Sequence, residues 1–204
     1  MTSWSMEFYN LNRLLDVLDK NKPSHVVELG SGISTLMIAS WLKHSGCGSF
    51  ISIDHDAEFA AKTQEQLDHL TLTDYACIQV VDIAPYATTS QEFADRSHLW
   101  YDLESVPELL TPVDLLIIDG PPGSLCPLSR APAFDFFRDR LSKQCVILLD
   151  DGHRDDERAA INIAQEELSD FSFSLHDSIS GMWVISHNMN HNTERDSTAA
   201  CYRP

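Results

Sequence analysis

Val26-Val27-Glu28-Leu29-Gly30-Ser31-Gly32-Ile33-Ser34-Thr35 is the stretch that decides the fold. An apolar run short enough for a strand passes through two glycines into helical spacing, which is how a parallel strand hands over to its crossover helix. At the carboxyl end of such a strand a glycine turn lets a ligand approach the backbone closely. Glycine-x-glycine alone is unspecific, but Glu28 sharpens it. A carboxylate two residues before the first glycine repels a dinucleotide pyrophosphate and tolerates a cationic aminoacyl group. The third glycine of the dinucleotide fingerprint would fall at Thr35, the wrong residue for that reading.

Outward from this turn, β-type runs alternate with helical stretches. Strands are expected at 25–29, 50–54, 77–81, 113–119 and 145–150, and helices at 34–43, 57–70, 133–141 and 155–168. Such alternation implies βαβ crossovers and a parallel sheet. Upstream, Phe8, Leu11, Leu14, Leu15 and Leu18 follow helical spacing until a break at 21–24, so a leading helix within 1–22 covers the sheet edge or the site. Downstream, the runs 171–175 and 182–185 are separated by 177–181, with no room for a helix, and should form an antiparallel hairpin. The expected fold is therefore α/β: a Rossmann-like three-layer sandwich, mostly parallel and seven-stranded, closed by that hairpin. One domain is expected over 1–186. Residues 187–204 read as a frayed polar tail, and its His187 and His191 as tail residues rather than a metal pair.

Bulk properties narrow the partners. The 204 residues carry 31 acidic against 14 basic side chains, a formal charge of −17 that repels phosphate backbones and anionic lipid. Neither nucleic acid nor a membrane is expected. The longest apolar runs, 115–118 and 146–149, fall far short of the roughly 20 residues that span a bilayer. Residues 1–10 lack the basic and apolar regions of a secretory signal, so the cytoplasm is the expected location. The five cysteines form no C-x-x-C pair and read as reduced thiols.

Carboxylates recur where successive strands end. Asp54 closes Ile51-Ser52-Ile53-Asp54-His55, about twenty residues past the glycine turn, where an acidic side chain can accept two ribose hydroxyls. Asp82, in Val80-Val81-Asp82-Ile83, offers a carboxylate to an adenine amino group, and Ile83 an apolar wall to its ring. Singly, each aspartate also reads as a helix cap or turn residue. Together they mark a cofactor site on one edge of the sheet.

On these residues the sequence resembles the class I S-adenosylmethionine (SAM)-dependent methyltransferases over roughly 25–186. The resemblance implies that Glu28, Gly30, Gly32 and Ser34 frame the methionine end, Asp54 the ribose, and Asp82 with Ile83 the adenine. Thr35 and His55 beside them are counted in the same cofactor site, and Asp119 at its border. The implied reaction is O-methylation of a small hydroxylated acceptor. A nicotinamide-dependent oxidoreductase and a non-catalytic SAM-binding protein are the rival readings, and a homodimer is an assembly left open.

Two further strands end in Ile118-Asp119-Gly120-Pro121-Pro122-Gly123 and Leu149-Asp150-Asp151-Gly152-His153. Adjacent parallel strands would cluster Asp119, Asp150 and Asp151, which is costly unless protonation or a cation offsets the repulsion. A hard divalent ion such as Mg²⁺ suits such oxygen ligands. The pattern is similar to the metal-dependent catechol O-methyltransferase group, with Asp151 where that group carries asparagine. A bacterial class I subgroup shares Trp100-Tyr101-Asp102, Asp119 to Gly123 and Asp150 to Glu157. Asp119, Asp150 and His153 are the candidate catalytic groups, His153 as general base and Arg154 as anion clamp, or else Arg154 pairs with Asp155 or Glu157. Tyr86, Trp100 and Tyr101, in the long segment 84–112, either line the acceptor pocket or pack a lid helix.

Overall fold

A computed structural model describes residues 6–87, 98–106, 109 and 112–188. Helix α1 (Phe8–Asn21) leads into β1 (His25–Leu29), α2 (Ile33–Ser45), β2 (Ser49–Asp54), α3 (Ala57–His69) and β3 (Cys77–Val80). After a small insert come β6 (Val113–Ile118), α4 (Pro132–Phe137), β7 (Leu141–Asp150), α5 (Asp155–Glu167), β8 (Phe171–His176) and β9 (Met182–His187). The sheet order is β3-β2-β1-β6-β7-β9-β8. Strands β3, β2, β1, β6 and β7 run parallel, and β9 pairs antiparallel with both β7 and β8. This is the expected architecture.

The central strands explain themselves chemically. Parallel strands covered on both faces must be apolar at every position, because successive side chains alternate between the two helical layers. Val26, Leu115, Ile117, Val146 and Leu148 face Leu14 and Leu18 of α1 and Ile38 and Leu42 of α2. Val27, Leu116, Ile118, Ile147 and Leu149 face Phe134 and Phe137 of α4 and Ala160 and Ile161 of α5.

Register then sets the site. Leu29 lies opposite both Ile53 and Ile118, and Ile118 opposite Leu149, so Gly30, Asp54, Asp119 and Asp150 emerge together at the carboxyl edge. Ladder-type bonds continue one residue further, from Gly30 N–H to the Ile53 carbonyl at 2.8 Å and from Asp119 N–H to the Leu29 carbonyl at 2.9 Å.

Three elements differ from expectation. Among its described residues the insert holds an antiparallel pair, β4 (Ile83–Tyr86) and β5 (His98–Tyr101), that the sequence did not announce. Trp100 is fully buried there, against Tyr86 and Phe136 at ring distances of 5.2 and 5.4 Å. The helix expected over 133–141 stops at Phe137, tightens into a single 3₁₀ turn, Arg138–Arg140, and yields to a ten-residue β7. His187 belongs to β9 and not to a tail, its ring 3.8 Å from that of Phe171. His191 and the rest of 189–204 lie outside the described residues.

Candidate active site

A pocket of about 240 Å³ opens at the carboxyl edge. That is far more than the ~10–15 Å³ that admits one water, so there is space for part of an organic ligand. Gly30, Asp54, His55, Tyr101, Asp119, Asp150, Asp151 and Arg154 line it among the residues singled out above. Met6, Ser31, Phe59, Gly120 and Arg130 join them.

On one side the backbone is bare. Gly30 has φ +98°, a left-handed conformation that side chains disfavour, and a Cβ there would stand 3.1 Å from the Asp119 carbonyl carbon and the Gly120 nitrogen. A Cβ on Gly120 would stand 2.4 Å from the Tyr101 hydroxyl and 3.1 Å from the Gly30 Cα. The loops after β1 and β6 thus touch through two glycines, and the resulting cradle suits a ligand that needs close backbone approach. Asp54 pins this turn, accepting from Ser31 N–H at 2.9 Å, Ser31 Oγ at 2.5 Å and Asp56 N–H at 3.0 Å. His55 Nδ1 lies 3.5 Å from its other oxygen.

Glu28 lies beneath the turn and off the pocket wall. It is wholly buried, accepting from Thr35 Oγ1 and Ser52 Oγ, each at 2.6 Å, while Oε1 has no partner. Burial pushes its carboxyl up to about 7, against the pull of the Ser34, Ser52 and Thr35 hydroxyls. Thr35 Oγ1 also accepts from Gly32 N–H at 2.9 Å, which closes the first turn of α2. Gly32, Ser34 and Thr35 therefore shape the turn and do not form the wall. Asp82 and Ile83 are likewise not among the residues that line this pocket. Asp82 is exposed and its carbonyl accepts from Asp102 N–H at 3.0 Å, while Ile83 starts β4 and packs toward the core. Pairing with β5 turns this stretch away from the edge.

On the other side the three aspartates do converge, with one ligand atom each within 4.8 Å of the others. Asp150 is buried; burial, and next the neighbouring Asp151, push its carboxyl up to about 6. Asp119 is raised well above the usual carboxylate range by burial and by Asp150, with Arg130 opposing. Asp151 adopts φ 58° and accepts from Arg154 at 2.8 Å.

Two residues escaped the sequence reading. Asn10, fully buried on α1, donates to Asp150 Oδ1 at 2.5 Å and to Ser180 Oγ at 3.0 Å, and accepts from Ser178 Oγ at 2.6 Å. Arg130, in the turn before α4, donates from Nη2 to the Asp119 carbonyl at 2.7 Å and from Nη1 to the Asp150 carbonyl at 3.0 Å. Its Nη2 also lies 3.3 Å from Asp119 Oδ1 and 3.0 Å from Asp151 Oδ2. Two of the three carboxylates that would hold a divalent ion, Asp119 and Asp151, are thus already paired with a buried cation, and the set does not fit Mg²⁺ as it stands.

His153 does not reach the pocket. Past the left-handed Asp151, Gly152 and His153 bond the Gly181 and Ser180 carbonyls, so the imidazole turns to the Ser178 carbonyl at 3.1 Å and Asp177 at 3.2 Å. Tyr86 and Trp100 are also absent from the wall. Tyr86 instead donates to Asp135 at 3.0 Å. Arg154 pairs chiefly with Asp151, and only at 4.0 Å with Glu157.

A family model described as a methyltransferase domain matches residues 27–152, a span holding all these strand ends. Among curated proteins the sequence finds no match. Several solved structures share the fold. The O-methyltransferase TomG from Streptomyces achromogenes, involved in tomaymycin synthesis and solved with SAM, is 12% identical with a TM-score of 0.65, over 92% of this chain and 83% of that one. An O-methyltransferase from Bacillus cereus in complex with SAH is 13% identical, with a TM-score of 0.63 over 91% and 84%. The SAH-bound methyltransferase PaMTH1 from Podospora anserina is 14% identical, with a TM-score of 0.62 over 91% and 80%.

Proposed function

Because the chain belongs to the methyltransferase domain family, matched over residues 27–152, we propose that it moves a methyl group from SAM to the hydroxyl oxygen of a small acceptor. The observation that carries this reading is the two-sided pocket. Asp54 and the Gly30–Gly120 cradle stand on one side, and Asp119 with Asp150 on the other. The bound cofactor supplies an electrophilic methyl on a good leaving group, so most of the protein's task is orientation.

In this reading the cradle and Asp54 hold the cofactor, Asp54 at the ribose, while Glu28 acts from beneath the turn on the cationic aminoacyl end. Asp150 is the base. A carboxylate that titrates at about 6 is ionised near neutrality yet basic enough to accept the acceptor's proton as the oxygen attacks. Asp119, raised by burial and by Asp150 with Arg130 opposing, stands beside it and contacts the acceptor. Unequal environments for two neighbouring carboxyls are how acid and base roles separate. We also read 1–186 as one domain, working in the cytoplasm. Among the described residues no helix is long and apolar enough to cross a membrane.

The test is to incubate the purified chain with methyl-labelled SAM and a panel of phenols, catechols and aliphatic hydroxy compounds, following SAH and label transfer. Label in an ether product supports the reading. SAH binding without transfer to any acceptor would make the chain a non-catalytic binder, and calorimetric binding of NAD in place of SAH would make it an oxidoreductase.

A further inference from the structure

We propose that Arg130 is a built-in cation that takes the place of a divalent ion among Asp119, Asp150 and Asp151, so that methyl transfer at this site is metal-independent. The inference rests on the methyltransferase reading for its chemical consequence, but not for its geometry.

Position comes first. The Arg130 side chain is 5% exposed and enters beneath the carboxyl ends of β6 and β7 from the turn before α4. A buried guanidinium must be paired, and buried carboxylates must find a cation or a proton. Each side of this cluster answers the need of the other. Both terminal nitrogens of the fork are engaged, Nη1 with the Asp150 carbonyl at 3.0 Å and Nη2 with the Asp119 carbonyl at 2.7 Å, so one plane ties the ends of two strands together while Nε is left without a partner. The same Nη2 lies within 3.3 Å of a carboxylate oxygen of Asp119 and of Asp151. A lysine offers neither the plane nor the reach to bond both strand ends.

Competition follows from charge. A divalent ion bound by these three carboxylates would sit beside a cation that cannot lose its proton and, at 5% exposure, cannot swing to solvent. Arg154, bonded to Asp151 at 2.8 Å, adds a second positive charge at the mouth. Like charges at such range in a buried site repel strongly. Metal binding would therefore require Arg130 to leave three carboxylates, those of Asp119, Asp151 and, at 3.5 Å, Glu157, and two carbonyls at once.

A chemical consequence follows for the acceptor. With no Lewis acid to depress its hydroxyl pKa, the acceptor must bring an acidic hydroxyl of its own, as a phenol does, and it needs no second hydroxyl for chelation.

The experiment titrates MgCl₂ and CaCl₂ to millimolar concentration into the chelator-treated full chain, by calorimetry and thermal melting, with SAH binding as the check that the fold is intact. Wild type should show no saturable heat and no shift in Tm. Arg130→Met, which keeps the bulk and removes the charge, should melt lower and gain a divalent-dependent rise in Tm, with affinity on the order of tenfold or more above wild type. Arg130→Lys should stay indifferent to the ions, and it carries the test if the methionine variant does not fold. Saturable Mg²⁺ or Ca²⁺ binding by wild type or by Arg130→Lys overturns the proposal, as does a folded Arg130→Met that gains nothing. None of these readouts needs turnover, so a chain that methylates no acceptor would sink the proposed function and leave this inference standing.

Discussion

Glu28→Gln should change the pH dependence of stability more than stability itself. The carboxyl is wholly buried and held at about 7, against an ordinary value of 4.5. A raised carboxyl means that the folded state keeps a proton the unfolded chain has lost, so stability falls as pH rises from the unfolded value to the folded one. That rise corresponds to roughly 3 kcal/mol of lost stability, all of it felt above pH 7 and none of it below the unfolded value. Between pH 5 and 8 the Glu28 contribution changes by about 2–3 kcal/mol, or about 5–10 °C in Tm for a domain of this size.

Glutamine keeps an oxygen for Thr35 and Ser52 but cannot ionise. Its amide nitrogen would occupy the place of the unpartnered Oε1, at a cost that does not vary with pH. The difference between the wild-type and variant curves therefore isolates Glu28 from Asp119 and Asp150, which titrate in both. Urea denaturation of the cofactor-free proteins at half-unit intervals gives the curves. Wild type should lose stability relative to the variant as pH rises, and the added SAM ammonium should reduce that loss. Parallel curves across the range would refute the buried-acid argument for this residue.

Three further outcomes are expected. Gly120→Ala should drive a methyl into the Tyr101 hydroxyl and the Gly30 turn, costing about 1–3 kcal/mol in denaturant melts and weakening SAH binding measured by calorimetry. In pH–rate profiles activity should fall as pH drops through about 6, where Asp150 gains its proton. Asn10→Ala removes a donor that favours the charged form of Asp150, so it should move that limb upward; an unmoved limb would show that Asn10 does not act through Asp150. His153→Ala should leave kcat within about threefold of wild type, because the imidazole faces the β8–β9 loop; a loss of a hundredfold or more, in the ~10²–10⁴ range typical of general bases, would restore it as the base.

The sheet was legible because burial on both faces demands unbroken apolar runs, and 26–29, 50–53, 115–118 and 146–149 supply them between turn residues. The β4–β5 pair was not. Ile83–Tyr86 contains a proline, and its partner begins at His98, too far along the chain for a tight-turn signal. The three aspartates were legible from strand register, since adjacent parallel strands deliver the residues that follow them to one edge. The cation between them was overlooked, yet Arg130 stands as a lone charge in Ser129-Arg130-Ala131-Pro132-Ala133-Phe134, where the neighbours are all buried and a partner is required. Asn10 likewise interrupts the buried face that continues through Leu14, Val17 and Leu18. The orientation of His153 follows from the left-handed turn at Asp151, and no feature of the sequence announces that for an aspartate.

The bond from Asn10 to Asp150 joins residues 140 positions apart, and the contact with Gly181 spans 171. At ribosomal rates of about 5–20 residues per second, α1 is made roughly 9–34 s before the last of its polar partners. Through that interval the helix can settle its apolar side against α2, but the amide of Asn10 has nothing built to hold. The pocket is therefore among the last parts of the molecule to acquire its shape, and an incomplete nascent chain carries the cradle glycines without a fixed carboxylate opposite them.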